Sequence, residues 1–287
     1  MAAARRRRPS PPSVTRALPL ALVAPLAFDA PVNGSSTRLL VVCGAQRSGT
    51  TMLLEALEQV ASLQVHHESS DEVMRDFRLV SLAEVQAVLG AARGSGVVIK
   101  PLTDSQWLDR LLANIDGSRA VWMFRNWTDV VNSSARKWPG HGADILAAFR
   151  RGDHRWLGWR SERLAAPTRA RFDELCADVN VEDDLGSWAA WWWLRNRHFF
   201  DLGLDVSPDF VRPVCYEELV VAPSRWLDEI CAFAGFPVPE VSGDEVHARS
   251  VRRSAPPAVP ASVAEACEQL FSSLCLHAER AWREGFS

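Results

Sequence analysis

Arg38-Leu-Leu-Val-Val-Cys-Gly-Ala-Gln-Arg-Ser-Gly-Thr-Thr51 is the stretch that decides the fold of this chain. Residues 38–43 form a continuous apolar run, as expected of a strand buried on both faces. From Thr50 to Leu63, Leu53, Leu54, Leu57 and Val60 recur at helical spacing. Between strand and helix lies a turn bounded by Gly44 and Gly49. Such a turn points successive backbone N–H groups at an anion, and the helix N-terminus adds its partial positive charge.

The turn has the GxxxxG spacing of a P-loop. The lysine that a P-loop carries next is replaced by Thr50, and the positive charge stands inside the turn as Arg47. A lysine there bridges the terminal phosphates of a triphosphate, so its loss argues against NTP hydrolysis or kinase chemistry. A shorter anion chain held by Arg47, Ser48, Gly49, Thr50 and Thr51 suits the turn better. The bland alternative is a Gly/Ser turn that merely starts a helix.

Working outward, Gly96-Val-Val-Ile-Lys100 and Ala120-Val-Trp-Met-Phe124 read as two further buried strands, and Val211–Tyr216 as a fourth. Val65-His-His-Glu68 reads as the end of another. Helical patterns fall around 81–92, 104–114, 127–137, 187–203, 223–235 and 262–284. Strands alternating with helices predict a three-layer α/β domain, a central parallel sheet flanked by helices, over residues 38–287. Residues 139–172 are rich in Arg, Gly and Trp with weak periodicity, which predicts an irregular segment or lid, and 244–260 reads as a loop.

Of 287 residues 47% are hydrophobic and 23% charged, which supplies a core and excludes global disorder. Residues 1–37 carry five Arg against one Asp, a basic arm read as disordered, with a short apolar stretch from Leu18 to Phe28 that also resembles a targeting segment. That leaves the remainder acidic, without the positive body that nucleic acid requires. No window reaches the ~20 apolar residues of a membrane span. The six cysteines form no CxxC pair, so neither a zinc site nor a disulfide framework is expected, and they read as buried thiols of a reduced protein.

Two strands end in cations, Lys100 and Arg125, where a P-loop hydrolase needs an Asp for magnesium. That pattern points to anion binding without a metal. Lys100 is one of only two lysines among 32 basic residues.

Arg47-Ser-Gly-Thr-Thr51 after a buried strand resembles the 5′-phosphosulfate loop of sulfotransferases that use 3′-phosphoadenosine 5′-phosphosulfate (PAPS). Arg125, with Ser133 eight residues later on the next helix, resembles the 3′-phosphate motif of that family. Cys215-Tyr-Glu-Glu-Leu219 and the segment to Phe236 are similar to a further family segment, and Trp191-Trp-Trp-Leu-Arg-Asn196 resembles a helix of bacterial members. The likeness covers about 38–236. It departs at the RKGxxGxW-type loop of cytosolic members, for which only Arg249-Ser-Val-Arg-Arg253 is found, and so leans to the tyrosylprotein-like and bacterial branches.

The resemblance implies PAPS as donor, no metal, and transfer to a hydroxyl or, as second choice, an amine. It gives Glu68 the role of general base, with His66 and His67 as rivals. It places Lys100 and Arg47 at the leaving phosphate oxygen. Arg47, Ser48, Gly49, Thr50, Thr51, Arg125 and Ser133 are then donor-binding, and Tyr216 either lines that site or is a buried aromatic. A small molecule or peptide is the expected acceptor and the cytoplasm the expected location. A P-loop kinase or NTPase, or a catalytically silent nucleotide-binding module, are the rival readings. Acceptor identity and self-association into a homo-oligomer stay open.

Overall fold

The structure, a computed structural model, describes residues 37–153, 158–237 and 255–283. The elements in chain order are β1 (Arg38–Gly44), α1 (Thr50–Glu58), β2 (Leu63–His66), β3 (Met74–Arg75), β4 (Arg78–Leu79) and α2 (Leu82–Ala91). They continue with β5 (Gly96–Ile99), a 3₁₀ segment (Leu102–Trp107), α3 (Leu108–Asn114), β6 (Arg119–Phe124), α4 (Trp127–Lys137) and α5 (His141–Arg150). Last come α6 (Ala166–Asp178), α7 (Asp184–Asp201), β7 (Val211–Cys215), α8 (Tyr216–Val221), α9 (Pro223–Ala234) and α10 (Ala261–Arg283).

Five strands form one parallel sheet in the order β2-β5-β1-β6-β7, with Leu40 opposite Val98 on one side and Arg119 on the other. Alternation along β1 divides the core. Leu40 and Val42 pack with Leu53 and Leu57 of α1 and Trp226 and Ile230 of α9. Leu39, Val41 and Cys43 pack with residues of α2, α3, α4, α7 and α10. Both faces of β1, β5 and β6 are therefore covered, which is why these three strands read as unbroken apolar runs. The chain leaves β1 for the outer strand β2, returns to β5, then crosses β1 to reach β6. The reversal puts a crevice at the carboxyl end of β1, where α/β sheets bind ligands.

The expectation of an irregular segment over 139–172 is corrected: it contains α5 and the start of α6, both packed on α7. Gly140, at φ 76°, stops α4 from running into α5, and Pro167 starts α6. The hairpin β3–β4 was not foreseen either. Its two turn residues, Asp76 and Phe77, both have positive φ without any glycine to signal it. The basic arm, Arg249–Arg253 and most of the loop expected over 244–260 lie outside the described residues. Five cysteines are buried and Cys275 is half-buried. Burial pushes the thiols of Cys176 and Cys231 up to about 12. Among the described residues, no helix is long and apolar enough to cross a membrane.

Candidate functional site

The turn after β1 is shaped by what surrounds it. Gly44 has φ 125°, and a Cβ there would lie 2.1 Å from the Met123 carbonyl oxygen of β6. Gly49 has φ 85°, and a Cβ there would strike the Tyr216 ring at 2.4 Å. Both positions therefore require glycine. Arg47 adopts φ 64°, a strained conformation for a residue that carries a side chain. The N-terminus of α1 has no side-chain cap and no acidic residue in its first turn, and the buried Ser48 hydroxyl has no partner. Donors are thus left unmatched where an anion would sit.

Each neighbouring strand delivers a charged or aromatic side chain to this turn from its carboxyl end. Lys100, just past β5, is buried and donates from Nζ to Thr51 Oγ1 at 3.0 Å, with Glu68 Oε2 at 3.3 Å. Glu68, two residues past β2, is a quarter exposed and faces a cleft of about 450 Å³ that Met74, Phe77 and Lys100 also line. Arg125, just past β6, lies over the Tyr216 ring with its Cζ 4.4 Å from the centroid. Its Nη2 donates to Asp129 Oδ2 at 3.1 Å, and Glu217 Oε1 is 4.0 Å from its Nε. Arg47 donates from Nε to Ser133 Oγ of α4 at 2.9 Å.

The electrostatics are those of an anion site. Partial burial first, and then the like charges of Arg125 and Arg136, hold the Arg47 guanidinium below its ordinary pKa. An arriving polyanion relieves that repulsion.

Three groupings thus converge on the turn: Glu68–Lys100–Thr51, Arg47–Ser133, and Arg125–Tyr216–Gly49. Of the two histidines, His67 also lines the cleft beside Glu68, and His66 is turned to other partners. His66 is buried, with Nδ1 3.1 Å from Ser70 Oγ and 3.0 Å from Glu72, and Nε2 accepting from Gln64 at 2.9 Å. Burial lowers its pKa. His67 Nε2 lies 2.8 Å from Glu58 on α1. Tyr216 is buried, and its ring fixes Gly49 and carries Arg125.

Several contributors were missed from sequence. Asp129 stands in the first turn of α4, and its buried pairing with Arg125 is the part that the sequence analysis did not foresee. Its place four residues after Arg125 was the available signal. Glu217 also accepts from the Asn126 N–H at 3.1 Å, tying α8 to the start of α4. Ser105 Oγ accepts from the Gly44 N–H at 3.2 Å and braces the turn from behind. Phe77 at the hairpin tip is 63% exposed beside Glu68, an apolar lip on the cleft. No group of three or more His, Cys, Asp or Glu that could hold a metal occurs among the described residues.

No family model and no curated protein matches the sequence. Solved structures do. The sulfotransferase domain of the Synechococcus PCC 7002 olefin synthase is 16% identical with a TM-score of 0.50, covering 85% of this chain and 98% of that one. A sulfotransferase from Alicyclobacillus acidocaldarius is 18% identical (TM-score 0.45), over 88% of this chain and 100% of that one. Mouse sulfotransferase SULT7A1, solved with PAP, is 12% identical (TM-score 0.43), over 87% and 89%. At these identities the likeness is one of architecture, and it rests on the Synechococcus domain: this chain has the three-layer α/β fold of the sulfotransferases.

Proposed function

We propose that this protein is a sulfotransferase that moves the sulfuryl group of PAPS to an acceptor hydroxyl. The observation that carries the reading is Lys100, whose ammonium touches both Thr51 of the anion-binding turn and the Glu68 carboxylate. One buried cation thereby joins a phosphate-type site to a base that faces a cleft.

The unmatched donors at the start of α1, with Ser48, Thr50 and Thr51, fit the 5′-phosphosulfate, and Arg125 with Ser133 fits the 3′-phosphate. The bound donor supplies the sulfuryl group and a bisphosphate leaving group. Glu68 takes the proton from the acceptor hydroxyl as its oxygen bonds to sulfur in line with the breaking sulfur–oxygen bond. Lys100 and Arg47 neutralise the charge that develops on the departing phosphate oxygen. Lys100 serves here as a compact point charge with movable donors. His66 and His67 hold other partners, which supports Glu68 over them as the base.

Calorimetry of adenosine 3′,5′-bisphosphate against ATP–magnesium tests the donor assignment. The bisphosphate should bind without metal, and Arg125→Ala should weaken it by ~10–100-fold, the value of one or two charge-assisted hydrogen bonds. Preference for ATP–magnesium overturns the reading in favour of a kinase.

A further inference from the structure

Cys215 closes β7 and stands one residue before Tyr216, the aromatic that fixes Gly49. In the sheet it lies beside Phe124 of β6. The Phe124 ring meets Phe271 of α10 edge-on, with centroids 5.9 Å apart. Cys275 follows Phe271 by about one helical turn, so α10 carries both on one face. The two thiols meet there. Cys215 is buried, Cys275 is half-buried against the same apolar cluster, and their side chains are hydrogen-bonded to each other.

The other four cysteines, Cys43, Cys176, Cys231 and Cys267, are buried, and Cys43 and Cys267 donate to the carbonyls of Val121 and Ala189 at 3.4 Å. Within the pair the roles differ. Cys215 carries one S–H, for which Cys275 Sγ competes with Glu217 Oε2 at 3.2 Å. The hydrogen bond from Cys215 holds the Cys275 thiol below its ordinary pKa, against burial and the carboxylates of Glu218, Glu217 and Glu268. The same contact, and after it burial, raises Cys215. Cys275 is therefore both the more readily ionised thiol and the more accessible one, with Cys215 held behind it. An attacking and a resolving cysteine are arranged in this way.

We propose that Cys215 and Cys275 are a site of reversible disulfide formation, oxidised by exchange with low-molecular-weight disulfides. The Cys275 thiolate attacks one sulfur of a disulfide such as oxidised glutathione. A mixed S–S bond forms, the small disulfide's own S–S bond breaks, and one glutathione leaves as thiolate. Cys215 then attacks Cys275 Sγ, its proton passes to the second departing glutathione, and the protein disulfide closes. Two protein thiols are oxidised by two electrons in all, and one small disulfide is reduced to two thiols. Sulfurs already in contact need only close to ~2.05 Å. Closure also takes away the S–H that Glu217 Oε2 can accept, while Glu217 Oε1 holds the Asn126 N–H and stands 4.0 Å from Arg125 Nε. The bond thus forms at the edge of the candidate site. This inference is independent of the proposed transferase activity.

The whole native protein, first reduced and then equilibrated in graded mixtures of reduced and oxidised glutathione, should be alkylated and mapped without further reduction. One pair of peptides joined through Cys215 and Cys275 should appear as the oxidised fraction rises, two hydrogens lighter than the reduced pair, and dithiothreitol should part it. Cys215→Ser should stop at the mixed disulfide, with one glutathione on Cys275. Cys275→Ser should leave Cys215 unmodified. A wild-type map without the joined pair at any ratio, a bridge between other cysteines, or glutathione carried by Cys215 in place of Cys275 each overturns the proposal. The wild-type map decides the matter even where a variant folds poorly.

Discussion

Arg125 and Arg195 are both buried, yet the protein holds them in opposite ways. Arg125 stands at the carboxyl edge of the sheet with Asp129 and Glu217 beside it, so its charge is matched by carboxylates and it lies over the Tyr216 ring that packs on the glycine turn. Arg195 lies behind that turn, tied to two carbonyls and an amide, with neutral acceptors on every bonded Nη. Partners of the first kind can be exchanged, because a phosphate competes for a guanidinium that a carboxylate already orients. Partners of the second kind are fixed parts of the fold. Substitutions at the front edge should therefore cost function, and those in the rear web should cost stability.

The largest effect expected is at the front. Glu68→Gln removes the proposed base while keeping shape, and turnover should fall ~10²–10⁴-fold. Its unfolding free energy should stay within about 0.5 kcal/mol of wild type, as for other partly exposed positions. Product assays and urea titrations on one preparation separate the two. Undiminished turnover would remove Glu68 from the mechanism and turn attention to His67.

At the rear the same pair of measurements should reverse. Arg195→Ala leaves the Gln106 amide oxygen without a donor inside the core, while the Leu102 and Arg160 carbonyls keep Ser105 Oγ and His198 Nε2–H. A buried acceptor so orphaned costs about 1–3 kcal/mol, so a loss of at least about 1 kcal/mol is expected in urea. A small stability change would mean that the web is not the tie described here.

Gly49 lies where the two kinds of region meet. Gly49→Ala puts a methyl against the Tyr216 ring at a φ of 85°. About 1–3 kcal/mol of strain should follow, together with weaker bisphosphate binding, as the turn shifts off Arg125's platform. Tyr216→Ala in the same background opens the space but not the φ. It should restore part of the stability and none of the glycine's conformational freedom.

The front was far more legible in sequence than the rear, for a physical reason. Buried parallel strands read as apolar runs, so the residue that follows each run is a strand end by inspection; Lys100, Arg125 and Tyr216 were found in that way, whereas Glu68 came from the family resemblance. The turn from Gly44 to Thr51 announces itself because backbone N–H groups can converge only where glycine permits. By contrast, Arg195 meets Gln106 across 89 residues of sequence, and Leu102 across 93. No local pattern encodes such a contact. Asp76 and Phe77 turn a hairpin without the usual residues, so the lip of the cleft was also hidden.

The smallest expected effect concerns pH, and it too separates front from rear. His198 on α7 is fully buried, with Nε2–H donating to the Arg160 carbonyl at 3.2 Å. Burial, and after it the charge of Arg195, pushes its pKa down to about 3, against ~6.5 in an unfolded chain. Between those values the unfolded chain binds a proton that the folded one does not. Its contribution to stability is therefore complete above pH 6.5 and is lost as the pH falls, by at most about 1.4 kcal/mol per pH unit. His66 and His141 are lowered as well and act with the same sign. Urea titrations at pH 7.5 and 5.5 should show wild type weakening in acid, and His198→Gln weakening less, by up to one proton's worth of slope. An equal slope in both proteins would mean that His198 takes up its proton in the folded state. The rear web would then tolerate a further positive charge beside Arg195.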